Sequence, residues 1–401
     1  MFIRVIRVKT NFAQLSRTSS PLLCAALLFI AAANPVGAQM QSDAASGGAG
    51  AKTATAALVQ DRPTVDGKLD DPAWRSVAPI AGFTQRELHE GQPVSERTEV
   101  RIISDGEAIY VGAWLFDREP RAIVAGEKVR DVTLDNSDSF SLILDTYLDR
   151  QNGFVFATTP AGVEYDGQVV KEGEGGGVFI TGQTRASAGS MGGFNLNWDG
   201  SWTVATSQDS LGWYAEFRIP FSTLRYGAGE RQTWGVNFAR RIRRKNEEAF
   251  WAFIPRQFSL YRLSRAGTME LSQIPTSRLA TVTPFTLGSA QRDFQPTPGT
   301  RRVGEWGVDA KYGVTPSLTL DLTYNTDFAQ VEVDEQRTNL TRFPLFFPEK
   351  RPFFLENAGV FSAGTPQAVD LFFTRRIGID TLGRLVPIRG GGRLSGRVGG
   401  L

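Results

Sequence analysis

The stretch from Thr98 to Asp117, TEVRIISDGEAIYVGAWLFD, predicts the fold of the N-terminal part of this chain. Two runs of apolar and β-branched residues flank Asp105-Gly106, a dipeptide that favours the tight turn of a β-hairpin. Short segments of the same kind, separated by turns, continue to about residue 275. This spacing of strands predicts an all-β fold that begins with an antiparallel, jelly-roll-like β-sandwich.

One short helical turn is predicted before these strands, in the segment VDGKLDDPAWRSV. Asp71 is a favourable helix N-cap residue, and Pro72 suits the first helical position because an N–H there would have no intrahelical partner. We expect the side chain of Trp74 to point into the core of the sandwich.

The composition of the 401-residue chain argues against several classes of function. A net charge of +2 gives no overall field that would attract nucleic acid, so we expect no nucleic-acid partner. The single cysteine, Cys24, lies in a predicted leader, which argues against disulfides and thiolate zinc sites in the mature chain. The single histidine, His89, lies in the loop-like sequence HEGQP and argues against a Ser-His-Asp triad.

Residues 1–38 are predicted to be a signal peptide. Basic residues precede an apolar run, Pro21–Ala33, that is too short to span a bilayer as a helix, and the small residues Val36-Gly37-Ala38 follow it. A buried core helix is the alternative for the apolar run. Residues 39–56 are small and polar and predict a flexible linker. We therefore expect export to the periplasm or the outer membrane.

The C-terminal part, residues 276–401, has the clearest two-residue period in the chain. In EWGVDAKYGVTPSLTLDLTYNTDF, Glu305–Phe328, apolar side chains alternate with polar ones, and aromatic residues lie near the strand ends. This pattern is typical of transmembrane barrel strands, with the apolar face toward lipid and the polar face toward the lumen. An amphipathic hairpin that packs on a soluble core fits the same residues equally well.

A proline-broken, phenylalanine-rich segment follows, NLTRFPLFFPEKRPFFLENAGVF, Asn339–Phe361. Its three prolines prevent a continuous strand, whereas its phenylalanines need burial and its Glu-Lys-Arg cluster needs water or partners. We expect a packed irregular segment between barrel strands, folded into the lumen or against a periplasmic turn. A segment that joins two domains and packs on the sandwich is the alternative. The residues after the sandwich are too few for a closed barrel, so we expect only the first strands of a truncated barrel-like domain. Missing strands that come from other chains are the alternative.

Both parts of the chain resemble known families. The sandwich, residues 57–275, resembles the family 9 carbohydrate-binding module superfamily through motifs that occur in order, namely VDGKLDDPAW, ERTEVRIISDGEAIYVGAWLFD, SDSFSLILDTY, TTPAGVEYDG, GWYAEFRIPFSTLRY and TWGVNFARRIRRKNEEAFW. The C-terminal part resembles the bacterial family DUF5916 through DFAQVEVDEQRTNLTRFPLFFPEKRPFFLENAGVF and FFTRRIG. In that family such a module precedes a domain that looks like an outer-membrane barrel.

The resemblance implies a glycan ligand and a place at the bacterial cell envelope, with a role in polysaccharide catabolism. It associates the chain with hydrolysis of O-glycosyl bonds without indicating a catalytic pair of carboxylates, so we assign no catalytic residue. Two other classes of function stay open. One is an enzyme that hydrolyses O-glycosyl compounds, and the other is an outer-membrane transport or structural barrel with a periplasmic sandwich domain.

Candidate glycan-binding residues lie in the loop-like segment NLNWDGSW. Aromatic rings beside polar groups suit a pyranose, which has apolar C–H faces and a rim of hydroxyls. Trp202 also opens the predicted strand WTVATS and is then a core residue. The candidates are Trp198, Trp202, Asn195, Asn197 and Asp199.

Candidate calcium ligands are two groups of aspartates, because calcium prefers carboxylate oxygens and occurs in the wider superfamily. Aspartates that cap helices and turns are the alternative explanation. The candidates are Asp66, Asp70, Asp71, Asp135 and Asp138.

Overall fold

Strands dominate the structure, a computed structural model. It describes residues 52–173, 193–196, 198–275, 280–293, 299–315, 318–326, 351–355, 364–365, 369–370, 374–378 and 386–396. In these residues the α-helices are the four-residue turns α1, Pro72–Arg75, and α2, Pro352–Leu355. None of the described helices is long and apolar enough to cross a membrane. The predicted all-β class is confirmed. The predicted signal peptide lies outside the described residues.

Two sheets form the N-terminal sandwich. The larger sheet has nine strands: β1 Thr53–Thr55, β3 Thr84–Glu87, β6 Ser139–Asp145, β7 Gly153–Thr158, β8 Tyr165–Val169, β9 Phe194–Asn195, β12 Gln232–Ile242, β13 Glu247–Phe250 and β14 Gly267–Leu271. The smaller sheet has five: β2 Ala57–Leu58, β4 Thr98–Ser104, β5 Ala108–Phe116, β10 Thr203–Gln208 and β11 Gly212–Pro220.

The strand order is β1-β14-β12-β6-β7-β8-β9 along the larger sheet and β10-β11-β5-β4-β2 along the smaller one. Neighbouring strands are antiparallel except β1 with β14 and β2 with β4. These two parallel pairs arise because the entering chain adds one short strand to each sheet in turn. The predicted hairpin at Asp105-Gly106 is confirmed as β4 and β5.

The predicted linker, residues 39–56, extends too far toward the sandwich. Thr53–Thr55 form β1 and pair with Thr268–Glu270 of β14. Ala54 and Ala56 are buried in the core. The small, polar composition of this segment gave no sign of a strand, because β1 is stabilised by its partner β14. The boundary predicted at residue 275 falls between β14 and the next strand.

The core lies between the two sheets and follows the predicted alternation. Its largest fully buried apolar side chains include Phe140, Phe156, Trp213, Phe217, Trp234 and Phe238. A second cluster lies on the outer face of the larger sheet, where the chain after β13 covers it with Ile254, Leu260 and Leu263. The larger sheet is therefore apolar on both faces.

The motif around α1 is held by one buried carboxylate. Glu216 of β11 accepts hydrogen bonds from the backbone N–H groups of Asp66 and Gly67 and from the indole N–H of Trp74. Trp74 is fully buried, but it packs with Ile103 and Tyr110 in a cluster separate from the core between the two sheets. The prediction that it points into the core of the sandwich is therefore wrong, because α1 lies on the outer face of the smaller sheet. Gly67 has a φ of +83°, and a Cβ there would lie 2.7 Å from the carbonyl carbon of Thr206. The glycine is required because the loop presses directly against β10.

A separate four-stranded sheet forms the C-terminal part: β15 Ala280–Asp293, β16 Gly299–Thr315, β17 Leu318–Tyr324 and β20 Gly390–Gly396. A small two-stranded sheet comprises β18 Gly364–Thr365 and β19 Val369–Asp370. The four-stranded sheet is antiparallel throughout, with β15-β16-β17-β20 as its order.

The register of this sheet separates apolar from polar side chains. One face carries the rows Ala280-Tyr312-Leu320-Leu394 and Val282-Ala310-Leu322-Gly392. The other carries Thr281-Lys311-Asp321-Arg393 and Thr283-Asp309-Thr323-Gly391. On the apolar face, six side chains are between 42% and 59% exposed: Val282, Trp306, Tyr312, Leu322, Tyr324 and Leu394.

The polar face is the covered one. Thr319, Asp321, Thr323 and Ser395 are all buried. Arg393 donates to Asp321 at 2.8 Å, and the ring of Phe353, in α2, lies 5.5 Å from its guanidinium. Part of the phenylalanine-rich segment therefore packs on the polar side of the sheet.

Arg351 anchors this segment. Its guanidinium is fully buried, donates to the carbonyl oxygens of Thr374 and Ile377 at 2.8 Å each, and lies 4.2 Å from the ring of Phe354. The described part, residues 351–355, is thus packed, but it forms the short helix α2 and is not irregular. The rest of Asn339–Phe361 lies outside the described residues.

Candidate functional site

A stack of aromatic rings lies at the edge of the larger sheet that β8 and β9 form. Tyr165 and Phe194 are stacked with ring centroids 6.1 Å apart, and Phe194 and Tyr261 with centroids 4.7 Å apart. All three side chains are partly exposed. They extend the outer apolar cluster of the sheet toward solvent. We call Tyr165, Phe194 and Tyr261 the aromatic stack.

Two glycines make room for the aromatic stack. A Cβ on Gly167 would lie 2.5 Å from the ring of Phe194, so any larger residue would displace that ring. A Cβ on Gly173, which has a φ of +78°, would lie 3.1 Å from the Cβ of Tyr261. The ring positions therefore depend on the absence of side chains at these two places.

An ion-pair cluster around Arg130 is built partly on the same strand. The guanidinium lies 2.6 Å from Glu164, 2.6 Å from Asp166, 2.9 Å from Asp199 and 3.5 Å from Asp131. Tyr165 and Asp166 are adjacent in β8 and point to opposite faces. The cluster therefore lies on the inward side of this strand and the aromatic stack on its outward side.

The partners of Arg130 differ in exposure. Asp166 is fully buried and also accepts the backbone N–H of Gly200 at 2.7 Å. Burial raises the pKa of Asp166 to about 6, against the opposing effects of the Gly200 hydrogen bond and of Arg130. The side chain of Asp199 is half exposed. The cluster thus has one buried carboxylate, Asp166, and three that are at least partly exposed, of which Asp199 is the most exposed.

The structure corrects the prediction for the two tryptophans. Trp198 is only 8% exposed and Trp202 only 5% exposed. Trp198 packs against Phe154 and Phe156, with ring centroids 5.1 and 6.0 Å apart, so it is not an exposed platform. Trp202, just before β10, is stacked on Phe217 of the neighbouring strand β11, which agrees with the alternative that it is a core residue.

The polar candidates of the same segment separate. Asn195 is buried in β9. Asn197 lies outside the described residues. Asp199 joins the cluster around Arg130, which no sequence pattern had indicated. The aromatic stack was also missed, because its rings come from three segments that are distant in the sequence. The only local signal was Tyr165, an aromatic residue that begins a strand beside polar residues.

The predicted calcium ligands have other roles. Asp66 accepts the backbone N–H of Lys68, as turn aspartates do. Asp71 precedes α1 but makes no side-chain cap hydrogen bond to it, and accepts the backbone N–H of Thr64 instead. Asp135 lies 3.5 Å from Arg241. Asp138 is buried and accepts the backbone N–H of Arg243. No group of three or more His, Cys, Asp or Glu side chains that could hold a metal occurs within the described ranges, and Asp70 belongs to none.

Two buried carboxylates have strongly raised pKa values. Burial raises the pKa of Asp145 and that of Asp166 to about 6. Asp145 accepts the backbone N–H groups of Asp149 and Arg150, so it organises the turn after β6. Each carboxylate is buried and accepts hydrogen bonds from backbone N–H groups. Its raised pKa therefore reflects a structural role.

One comparison with known proteins gives a family match within the C-terminal part of the chain. Residues 275–386 match the family described as "Domain of unknown function (DUF5916)", which confirms the predicted resemblance of the C-terminal part. A comparison with curated proteins gives no match.

Solved structures with some similarity include two of a family 9 carbohydrate binding module (CBM9) from Caldicellulosiruptor kristjanssonii. The one in complex with cellotriose is 14% identical, with 55% of this chain and 94% of the module covered and a TM-score of 0.37. The one in complex with glucose is 14% identical, with 55% and 96% covered and a TM-score of 0.37. A candidate carbohydrate-binding protein from Bacteroides uniformis ATCC 8492 is 13% identical, with 55% and 99% covered and a TM-score of 0.40.

Proposed function

We propose that this protein binds glycans at the bacterial cell envelope through the edge of its sandwich formed by β8 and β9. The observation that carries the proposal is the partly exposed aromatic stack on the outward side of β8, with the ion-pair cluster of Arg130 on the inward side of the same sheet edge. Aromatic rings contact the C–H faces of a sugar, while charged and polar groups at the rim bind its hydroxyls. Tyr165 and Asp166 place these two kinds of group on opposite sides of β8, so a glycan chain that crosses this edge of the sheet would contact both.

The Arg130 cluster provides hydroxyl partners of both kinds. The guanidinium is a fork of N–H donors, and the half-exposed carboxylate of Asp199 is an acceptor. Bidentate hydrogen bonds to neighbouring hydroxyls need a donor and an acceptor in fixed positions. Buried Asp166 holds Arg130 in place from below, at 2.6 Å.

The envelope location forms part of the same proposal. The predicted signal peptide supports export, and mass spectrometry of protein from the native host should find an N-terminus at or near Gln39. The apolar, exposed face of the C-terminal sheet supports contact with the outer membrane, since a lipid-facing sheet is apolar on its outer side. An intact Met1 on the native protein would contradict export.

A link to polysaccharide catabolism follows if the bound glycan is a substrate for hydrolases. In this scheme the protein retains polysaccharide at the cell surface and does not itself cleave it. Incubation of the full-length protein with its best glycan should leave the chain length of that glycan unchanged. Release of shorter sugars by the purified protein would favour the alternative that it hydrolyses O-glycosyl compounds.

Binding of the full-length protein to a broad glycan array, followed by calorimetric titration of the best glycan, tests the proposal. Tyr261→Ala should weaken binding about tenfold, because it removes one ring of the stack. The matched control is Tyr214→Ala, which removes a partly exposed tyrosine from β11 on the other sheet. Absence of binding to every glycan, or equal losses in both variants, would contradict the proposed site.

A second candidate function is an outer-membrane barrel for transport or structure, with the sandwich as a periplasmic domain. The C-terminal sheet favours this function, because its polar face is packed and its apolar face is exposed, the inverse of a sheet in a soluble core. Solute flux across the membrane of vesicles that contain the protein, together with no glycan binding by the sandwich, would favour this function over glycan binding.

A further inference from the structure

A pocket of about 330 Å³ lies on the C-terminal sheet, far in sequence from the sandwich edge. It is lined by Trp306, Tyr324, Asn325, Pro387 and Arg389. The proposed glycan site uses none of these residues. Its volume is in the range of sites that hold small ligands or parts of larger ones.

The two aromatic side chains of the pocket are open to solvent. Trp306 is 59% exposed and Tyr324 is 54% exposed, and their ring centroids are 5.5 Å apart. Large aromatic rings that remain exposed side by side in a folded chain indicate a contact surface. Arg389 is also exposed and supplies the charged group of the pocket.

Two hydrogen bonds that Asn325 donates to backbone carbonyl oxygens fix the shape of this pocket. Asn325, in the left-handed region with a φ of +55°, donates its side-chain N–H to the carbonyl oxygen of Trp306. Its backbone N–H donates to the carbonyl oxygen of Arg389 at 3.1 Å. Three strands, β16, β17 and β20, are therefore tied together at the pocket.

The pocket lies where the apolar face of the sheet ends. Tyr324 pairs with Gly390 in the last row shared by β17 and β20, and Arg389 follows directly beyond that row. Toward the opposite end of the strands, the exposed side chains on this face are Leu322, Leu394, Val282 and Tyr312. Trp, Tyr and Arg at such a border are the residues that occupy the headgroup level of a membrane.

We propose that this pocket binds the phosphate of a membrane-lipid headgroup. The guanidinium of Arg389 donates to the phosphate oxygens, for which its planar fork is suited, while Trp306 and Tyr324 contact the glycerol and the first methylenes of the acyl chains. The inference rests on the proposed contact of the apolar face with lipid, and it adds a defined headgroup site to that contact.

The test uses the full chain in dodecyl maltoside micelles, with phosphatidylglycerol or digalactosyldiacylglycerol added and the lipid-bound fraction measured by native mass spectrometry. We expect retention of phosphatidylglycerol in clear excess over the galactolipid, which lacks phosphate. Arg389→Gln should lower the retention of phosphatidylglycerol about tenfold, whereas Arg376→Gln, at another exposed arginine of the C-terminal part, should not. Trp306→Leu keeps apolar area but removes the indole, and it should also lower retention.

Each other outcome overturns the proposal in a distinguishable way. Equal retention of both lipids, unaffected by Arg389→Gln, would mean that the sheet contacts lipid without recognising phosphate. Full competition by millimolar inorganic phosphate would assign the pocket to the free ion. No retention of either lipid would contradict the membrane contact of the apolar face as well. Circular dichroism of each variant separates a lost site from a lost fold.

Discussion

The sandwich and the C-terminal sheet alternate apolar and polar side chains with the same period, but they expose opposite faces. In β11 of the sandwich, the apolar Trp213 and Phe217 are fully buried. In β17 of the C-terminal sheet, Thr319 and Asp321 are buried, whereas Leu322 is 47% exposed. The same pattern therefore gives an ordinary soluble core in one region and an inverted sheet in the other.

The difference comes from what covers each face. The apolar faces of the sandwich meet a second sheet and the segment after β13. The polar face of the C-terminal sheet meets α2, whose Phe353 lies over the buried pair of Arg393 and Asp321. Alternation defines two faces, and the packing partner determines which of them is inside.

The largest difference between the two regions is expected when a tryptophan is removed from each of them and the loss of stability is compared. Trp213→Ala should lower the free energy of unfolding by about 3–5 kcal/mol, because it leaves a cavity in a close-packed core. Trp306→Ala, at a ring that is 59% exposed, should change it by less than about 0.5 kcal/mol in aqueous detergent. Urea unfolding of the full chain, followed by circular dichroism, measures both. Similar losses would mean that Trp306 is covered in solution.

An arginine on the apolar face should reveal its environment. Leu322→Arg should cost about 2–4 kcal/mol in lipid vesicles if the side chain faces the bilayer interior, and much less in detergent. Thr281→Arg, at an exposed position of the polar face, is the control and should be tolerated in both. The measurement is folding yield in vesicles and in micelles. Equal yields for both variants in vesicles would contradict a lipid-facing surface.

Local signals in the sequence predicted the fold well. The turn at Asp105-Gly106 and the helical turn at Pro72 depend on neighbouring residues only, and both are present. The burial of Trp74 was predicted, but not the place where it is buried, because its packing on the outer face of the smaller sheet depends on Glu216 of a distant strand. The two faces of the C-terminal sheet were also predicted, but not which one is covered, because α2 reaches that sheet from a distant part of the chain.

The candidate site was less predictable because it depends on distant contacts. Trp198 lies in a polar, glycine-rich segment that suggested exposure, yet Phe154 and Phe156 of β7 bury it. The aromatic stack joins residues that are dozens of positions apart, from Tyr165 to Tyr261. No spacing rule in one sequence connects them.

Acidification should change the stability of the sandwich, because the buried carboxylates with strongly raised pKa values lie there. In the folded state, burial raises the pKa of Asp145 and Asp166 from 3.8 to about 6. The folded chain then binds these protons more tightly than the unfolded chain does. Stability from these groups is full below pH 4 and is lost as the pH rises through about 6.

Between pH 7 and pH 5 each of these groups should therefore add about 1 kcal/mol to the free energy of unfolding. Asp145→Asn should remove its share of this pH dependence. Urea titrations of the full chain at several pH values, monitored at the sandwich transition, measure the slope. Below about pH 4.5 Glu96 should oppose the gain, because its pKa is lowered: burial alone would raise it, but Lys245 and Arg118 outweigh that effect. A sandwich that loses stability steadily from pH 7 to pH 5 would contradict the assignment.

The smallest expected effect compares two carboxylates that share Arg130. Asp199 is half exposed, and exposed ion pairs contribute little, so Asp199→Asn should change the free energy of unfolding by less than about 0.5 kcal/mol. Asp166→Asn should have a larger effect, because the buried carboxylate also accepts the N–H of Gly200. If Asp199 binds sugar hydroxyls, its variant should weaken glycan binding while its unfolding curve stays in place. A variant that unfolds like Asp166→Asn would make Asp199 a structural residue, and one with unchanged binding and stability would exclude it from the site. In either case the glycan site would be reduced to the aromatic stack, and the contribution of the Arg130 cluster would be to hold β8 in place.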